Sequence, residues 1–151
     1  MTDFAVIGGG IAGVSAAAHL SPHGSVTVLE MESSLAYHTS GRSAAMLVEN
    51  YGSDGARPLV KAARPFLERP PEQSVDSPLL SDRPVIWVAG EGTLSVLEKR
   101  AAEARERGAL CVVLDADEAV ENVPALRREW LDGALYEPSG ADIDVAGLHQ
   151  A

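Results

Sequence analysis

Six residues near the start, Gly8-Gly9-Gly10-Ile11-Ala12-Gly13, constrain what this chain can fold into more than anything that follows. Ahead of them stands the short apolar run Phe4-Ala5-Val6-Ile7, the pattern of a parallel strand covered on both faces. Behind them come small, helix-tolerant residues (Val14, Ala16, Ala17, Ala18, Leu20), and Ser21-Pro22-His23-Gly24 supplies a stop with Pro and Gly at the helix end. Val26-Thr27-Val28-Leu29 reads as a second strand that finishes at Glu30. Strand, tight glycine turn, helix and strand within about 30 residues make a βαβ unit, whose crossover is right-handed.

The spacing G-x-G-x-x-G gives each glycine a physical task. Gly8 permits the sharp turn out of the strand, Gly10 removes a side chain so that backbone can approach a pyrophosphate, and Gly13 lets the helix lie close to the strand. The helix start then offers free N–H groups and the positive end of its dipole to phosphates. Glu30 lies 22 residues after Gly8, at the end of the second strand, where a carboxylate can accept hydrogen bonds from both hydroxyls of an adenine-side ribose. The acid also argues against a 2′-phosphorylated cofactor, which would want an arginine there. The pattern predicts a dinucleotide site, and by itself leaves FAD and NAD both open.

Composition narrows the class. With 151 residues, 46% apolar and 23% charged, the chain has the profile of a globular protein that needs no staples. Its 12 Lys and Arg against 22 Asp and Glu give a formal charge of −10, which repels nucleic acid and anionic lipid. Residues 4–22 carry no Asp, Glu, Lys or Arg, but Asp3 stands where a signal peptide needs a base, and the glycines interrupt the stretch too early for a membrane span. One cysteine, Cys111, cannot form an internal disulfide and fits a reducing compartment, so a cytoplasmic protein is the preferred reading. The four histidines show no metal-ligand spacing, and no metal is expected.

Further along, residues 57–69 read as a helix with Leu59, Val60, Ala63, Phe66 and Leu67 on one side, stopping before Pro70-Pro71. Residues 70–84, punctuated by prolines, read as an extended connection, and Val85-Ile86-Trp87-Val88 as a strand. Residues 94–107 have helical spacing, with Ser95 and Glu98 at capping-box distance; Leu110 to Leu114 is another apolar run; Asp115 and Glu118 have capping-box spacing for a brief helix ending at Pro124.

The segment Tyr37-His38-Thr39-Ser40-Gly41-Arg42-Ser43-Ala44-Ala45, directly after the second strand, resembles the flavin-contacting segment of the FAD-dependent D-amino-acid oxidase superfamily. Taken with residues 3–30, the spacing to Tyr51 and the stretch Pro138 to Asp144, the chain is similar to the N-terminal part of bacterial D-amino-acid dehydrogenases, notably the D-arginine type. The resemblance implies an α/β fold: a Rossmann-like FAD-binding βαβ unit with part of an α+β substrate domain, an incomplete fold. It divides the chain into 1–50 (FAD-binding), 51–137 (substrate) and 138–151 (a return to the FAD-binding part), with Val145 to Ala151 as the opening of a helix. Carried over by position, Gly8, Gly10, Ile11, Ala12 and Gly13 cradle the pyrophosphate, and Glu30 and Met31 sit at the adenosine ribose. Ser40, Arg42, Ser43, Ala44 and Ala45 run toward the isoalloxazine, where small side chains let backbone N–H groups reach a planar ring.

Three positions fall on the substrate side of the resemblance: Met46, where the D-arginine type has a histidine, Tyr51, matching a pocket tyrosine, and Val85, where that type has the glutamate that pairs with a guanidinium. Without that carboxylate a buried cation loses its partner, so the expectation is a neutral rather than a basic D-amino acid. The resemblance implies an FAD-dependent oxidoreductase acting on the CH–NH bond of an amino-acid substrate, with the electron acceptor and the catalytic residues unread, and with the 151 residues alone inactive. The competing readings are a glycine- or sarcosine-type oxidase, an NAD-dependent dehydrogenase, and a non-catalytic nucleotide-binding or interaction module.

Overall fold

The computed structural model describes residues 1–71 and 77–151. They form two compact units: unit 1 comprises Met1–Ala45, Pro65–Ser81 and Ile143–Ala151, and unit 2 comprises Met46–Arg64 and Asp82–Asp142. Unit 1 carries the βαβ element. Strand β1 (Phe4–Ile7) runs parallel to β2 (Val26–Leu29), with Phe4 opposite Val26 and Ile7 opposite Leu29, and helix α1 (Ile11–Leu20) lies against both. Pro22 sits in the single 3₁₀ turn Ser21–His23 that ends the helix, as its missing N–H dictates. Both strands half-bury alternate residues only, leaving Ile7 and Leu29 exposed, so the continuous apolar run is not covered on both faces within these residues.

Unit 2 is built on an antiparallel sheet of three strands. Strand β3 (Met46–Leu47), helix α2 (Ala56–Glu68) and strand β4 (Leu80–Asp82) come before it in the chain. The sheet itself is β5 (Val85–Ala89), β6 (Val112–Leu114) and, between them, β7 (Gly133–Glu137), with Trp87 and Val113 both opposite Leu135. Because side chains alternate along β7, Leu135 and Ala134 point to opposite faces. The Leu135 face packs with Ala89 and Cys111 against Leu97, Ala101 and Ala104 of α3 (Leu94–Glu106). The Ala134 face packs with Leu114 against Ala119 of α4 (Ala116–Asn122). Leu135 is fully buried, which contributes about 1.5–3 kcal/mol. Strand β8 (Ala141–Ile143) pairs with β3, Met46 opposite Asp142, and the chain ends in α5 (Val145–Gln150), N-capped by the Asp144 carboxylate.

Several expectations are corrected. Helix α2 buries Leu67, but Leu59 is 72% and Phe66 46% exposed, so its apolar residues do not share one covered side. Helix α2 runs unbroken through Pro65, and Pro65–Ser81 groups with unit 1. Within unit 1 the Asp144 N–H donates to the Leu79 carbonyl at 2.8 Å. Helix α3 starts after Thr93 with no capping side chain, so the Ser95–Glu98 box does not form. Leu110 is exposed and β6 begins only at Val112. Within the supposed extended connection, residues 72–76 lie outside the described residues, and Leu80–Asp82 is a strand. No helix among the described residues is long and apolar enough to cross a membrane.

Candidate functional site

The glycine turn of unit 1 forms as its spacing requires. Gly8 leaves β1 at φ +101°, a left-handed conformation that glycine adopts at no steric cost, and its N–H is held by the Leu29 carbonyl at 2.8 Å. A Cβ on Gly13 would collide with the Gly8 carbonyl oxygen, so the close approach of α1 to the turn depends on that glycine. A Cβ on Gly10 would lie 3.2 Å from the Ser40 Oγ and crowd the mouth of the turn. Gly10 is the N-cap of α1 and provides no capping side chain. The Ile11 N–H donates to the Ser40 Oγ at 2.9 Å, while the N–H groups of Ala12 and Gly13 lie in the first turn, where a helix has no partner of its own to offer.

Glu30 faces into this turn. Its Oε2 accepts from the Gly9 N–H at 2.6 Å, and its Oε1 accepts from the Met31 and Glu32 N–H groups at 2.8 and 3.0 Å. These hydrogen bonds, that of Glu32 first and Gly9 next, hold the carboxyl below the usual carboxylate range. A carboxylate has about four acceptor positions. Three are used by backbone.

The segment after β2 folds back over the turn. Ala36, at φ +56°, donates its N–H to the Gly9 carbonyl at 3.0 Å and accepts from the Gly41 N–H at 2.8 Å. Ser40 and Arg42 belong to a single 3₁₀ turn, and the Arg42 Nε–H donates to the Tyr37 carbonyl at 3.1 Å with its guanidinium over the Tyr37 ring. A cavity of about 210 Å³ opens between Gly10, Glu30, Tyr37, His38 and Ser40. Ser43 leaves the turn in extended backbone, and the Ala45 carbonyl accepts from the Ile143 N–H at 2.9 Å. Met31 is 89% exposed and contacts the site through its backbone N–H alone.

Two participants escaped the sequence reading. Gly9, the unassigned glycine, is the most heavily used of the three: besides Glu30 and Ala36 it receives the His149 Nε2–H on its carbonyl at 2.8 Å, and the Leu35 side chain packs where its Cβ would stand. The only hint in sequence was a third consecutive glycine. His149 had no local signal, since its partner lies 140 residues away.

The three substrate-side positions are in unit 2. Met46 is on β3, opposite Asp142. Val85 begins β5 opposite Glu137, whose buried carboxylate accepts from Asn50 Nδ2 at 2.8 Å and from Trp87 Nε1 at 2.7 Å. Tyr51 is 62% exposed, and its ring stacks on Trp87 with centroids 5.8 Å apart.

The residues around the turn fit a dinucleotide pyrophosphate: a glycine mouth that a Cβ would crowd, the first turn of α1 beside it, and an anchored acid at the next strand end. A family model described as DAO, FAD dependent oxidoreductase, matches residues 3–151. Among solved structures, glycine oxidase from Geobacillus kaustophilus is similar at a TM-score of 0.81 and 25% identity, over 97% of this chain and 42% of that one. L-proline dehydrogenase from P. horikoshii has a TM-score of 0.78 at 20% identity, over 98% of this chain and 39% of that one. L-amino acid deaminase from Proteus vulgaris has a TM-score of 0.78 at 18% identity, over all of this chain and 37% of that one. The chain thus spans less than half the length of these relatives.

Proposed function

Since the chain belongs to the DAO family of FAD-dependent oxidoreductases, we propose that the protein oxidises the CH–NH bond of a neutral D-amino acid. When bound, FAD supplies the two-electron acceptor for the substrate's α-hydride. The amino nitrogen gives up a proton, and water hydrolyses the resulting imine to a keto acid and ammonia. The observation that carries the reading is the glycine turn with Glu30 bonded across it to the Gly9 N–H.

In this reading Gly8, Gly10, Ile11, Ala12 and Gly13 hold the pyrophosphate through backbone N–H groups and the helix dipole. Glu30 and the backbone of Met31 hold the adenosine ribose. Ser40, Arg42, Ser43, Ala44 and Ala45 lead toward the isoalloxazine. In domain terms, 1–50 and 138–151 serve the cofactor and 51–137 the substrate, with Met46, Tyr51 and Val85 facing the amino acid. The preference for a neutral side chain rests on Val85, an apolar residue that offers a guanidinium no carboxylate. A second reading takes glycine as substrate; its support is the 25% identity to glycine oxidase.

The test is the visible spectrum of a longer protein carrying this sequence, before and after anaerobic addition of neutral D-amino acids, D-arginine and glycine. Flavin bands near ~450 nm that bleach with neutral D-amino acids are expected. Bleaching by glycine alone supports the second reading, and a wide preference for D-arginine overturns the argument from Val85. For the 151 residues alone no bleaching is expected, because they span 42% of the glycine oxidase chain.

A further inference from the structure

Carboxylates outnumber cations 22 to 12 in this chain, yet in one part of unit 2 the balance reverses. Two adjoining cavities, of about 440 and 370 Å³, share Asn50, Arg57 and Arg107 as walls. Five cations line them: Arg57, Lys61, Lys99, Arg100 and Arg107. Against these stand three carboxylates, Glu49, Asp54 and Glu103, of which Glu49 is paired with Arg64 and Asp54 with Arg57. The cleft is a local positive well in a negative molecule.

Arg57 stands where the two cavities meet. Its Nη1 binds Asp54 at 2.6 Å, but its Nε–H is buried without a hydrogen-bond partner among the described residues. A buried charged donor without an acceptor is unfavourable, and native structures rarely leave one so. Arg100 is fixed on the second wall by two contacts, its guanidinium 4.0 Å from the centre of the Trp87 ring and its Nη2 at 3.4 Å from the Asn50 carbonyl. Lys61, Lys99 and Arg107 are exposed around the rim. The volumes fall in or near the range of small-ligand pockets, about 300–1,000 Å³.

We propose that this cleft is a second ligand site, made of residues other than those of the glycine turn, and that it binds a small multivalent oxyanion such as the phosphate chain of a metabolite. A single negative charge would answer only one of the cations. A di- or triphosphate bridges several, and guanidinium groups suit phosphate geometry. The inference holds whichever amino acid is oxidised.

Inorganic tripolyphosphate, titrated into the full chain at low ionic strength and followed by amide NMR shifts, tests it. Shifts at residues 50–57 and 107–109 are expected, weakening as salt is raised. The double variant K61Q/R107Q, altering two exposed rim residues, lowers affinity at least about tenfold. Glu103→Gln, on the exposed side of α3, removes an opposing charge and tightens binding; it keeps the test open should the double variant fold poorly. Shifts confined to residues 8–13, affinity unchanged by these substitutions, or no binding at millimolar tripolyphosphate would each overturn the proposal.

Discussion

A methyl group on Gly13 would collide with the backbone carbonyl of Gly8, whereas one on Gly9 would collide with the end of the Leu35 side chain. Backbone cannot give way without moving α1 from β1, but a leucine can change rotamer. Gly13→Ala is therefore expected to destabilise unit 1 by about 1–3 kcal/mol, the usual range for overpacking, and Gly9→Ala by less, with Leu35→Ala recovering much of the loss. Denaturant unfolding of the three variants checks the order; equal losses for the two glycines would refute it. Glu30 makes a second prediction. Its carboxyl is depressed in the folded state by the N–H groups of Glu32, Gly9 and Met31. Stability from this group is then fully present above its unfolded-state pKa and lost as pH falls through the lower folded value. Glu30→Gln should lose stability at neutral pH and show a flatter decline on acidification, read from thermal melts between neutral and acid pH. Asp3, lowered by the backbone and side chain of Ser25, and Asp117, lowered by Arg128, have the same sign and leave a residual acid slope in the variant.

Helix starts show how far local sequence reaches. In α4 the Asp115 carboxylate accepts from the Asp117 and Glu118 N–H groups, and Glu118 returns the bond to the Asp115 N–H at 2.9 Å. Asp115→Ala should cost about 0.5–2 kcal/mol, whereas Ser95→Ala, at the box that does not form in α3, should cost less than about 0.5 kcal/mol, the usual effect of a surface change. Urea unfolding of both distinguishes them, and equal effects would mean that the Asp115 box adds nothing. Elements whose determinants are local were readable for this reason: β1, α1, β2 and α4 each carry their own run, cap or stop. Strand β7 was not, although it is the centre of the unit 2 sheet. Its Gly133 and Ala134 have weak strand preference and are required by their neighbours, since a Cβ on Gly133 would lie 2.6 Å from the Leu114 carbonyl. Strands β3, β4 and β8 are two or three residues long and exist through pairing across the chain, which leaves no periodicity to read. In the candidate site Gly8, Gly10, Gly13 and Glu30 were legible by spacing and Ser40 only through the family resemblance, while His149 and Leu35 act through tertiary placement that no local pattern encodes.

At the scale of the whole molecule the same exposure that corrects the two-faced reading of β1 becomes a solution property. Ile7 is 88%, Leu29 53% and Met31 89% exposed, all at one end of the βαβ unit, and both strands of its parallel pair are edges. Leu59 and Leu110 add exposed apolar area in unit 2. Contiguous apolar surface and unpaired strand edges favour association, while the charge of −10 opposes it by repulsion that salt screens. The 151-residue chain is therefore expected to bind a hydrophobic dye such as ANS and to self-associate more as salt is raised, in contrast to a complex held by ion pairs, which salt would loosen. Sedimentation velocity at low and high salt measures this. A monomer at high salt with no dye binding would mean that these residues do not form a continuous apolar patch.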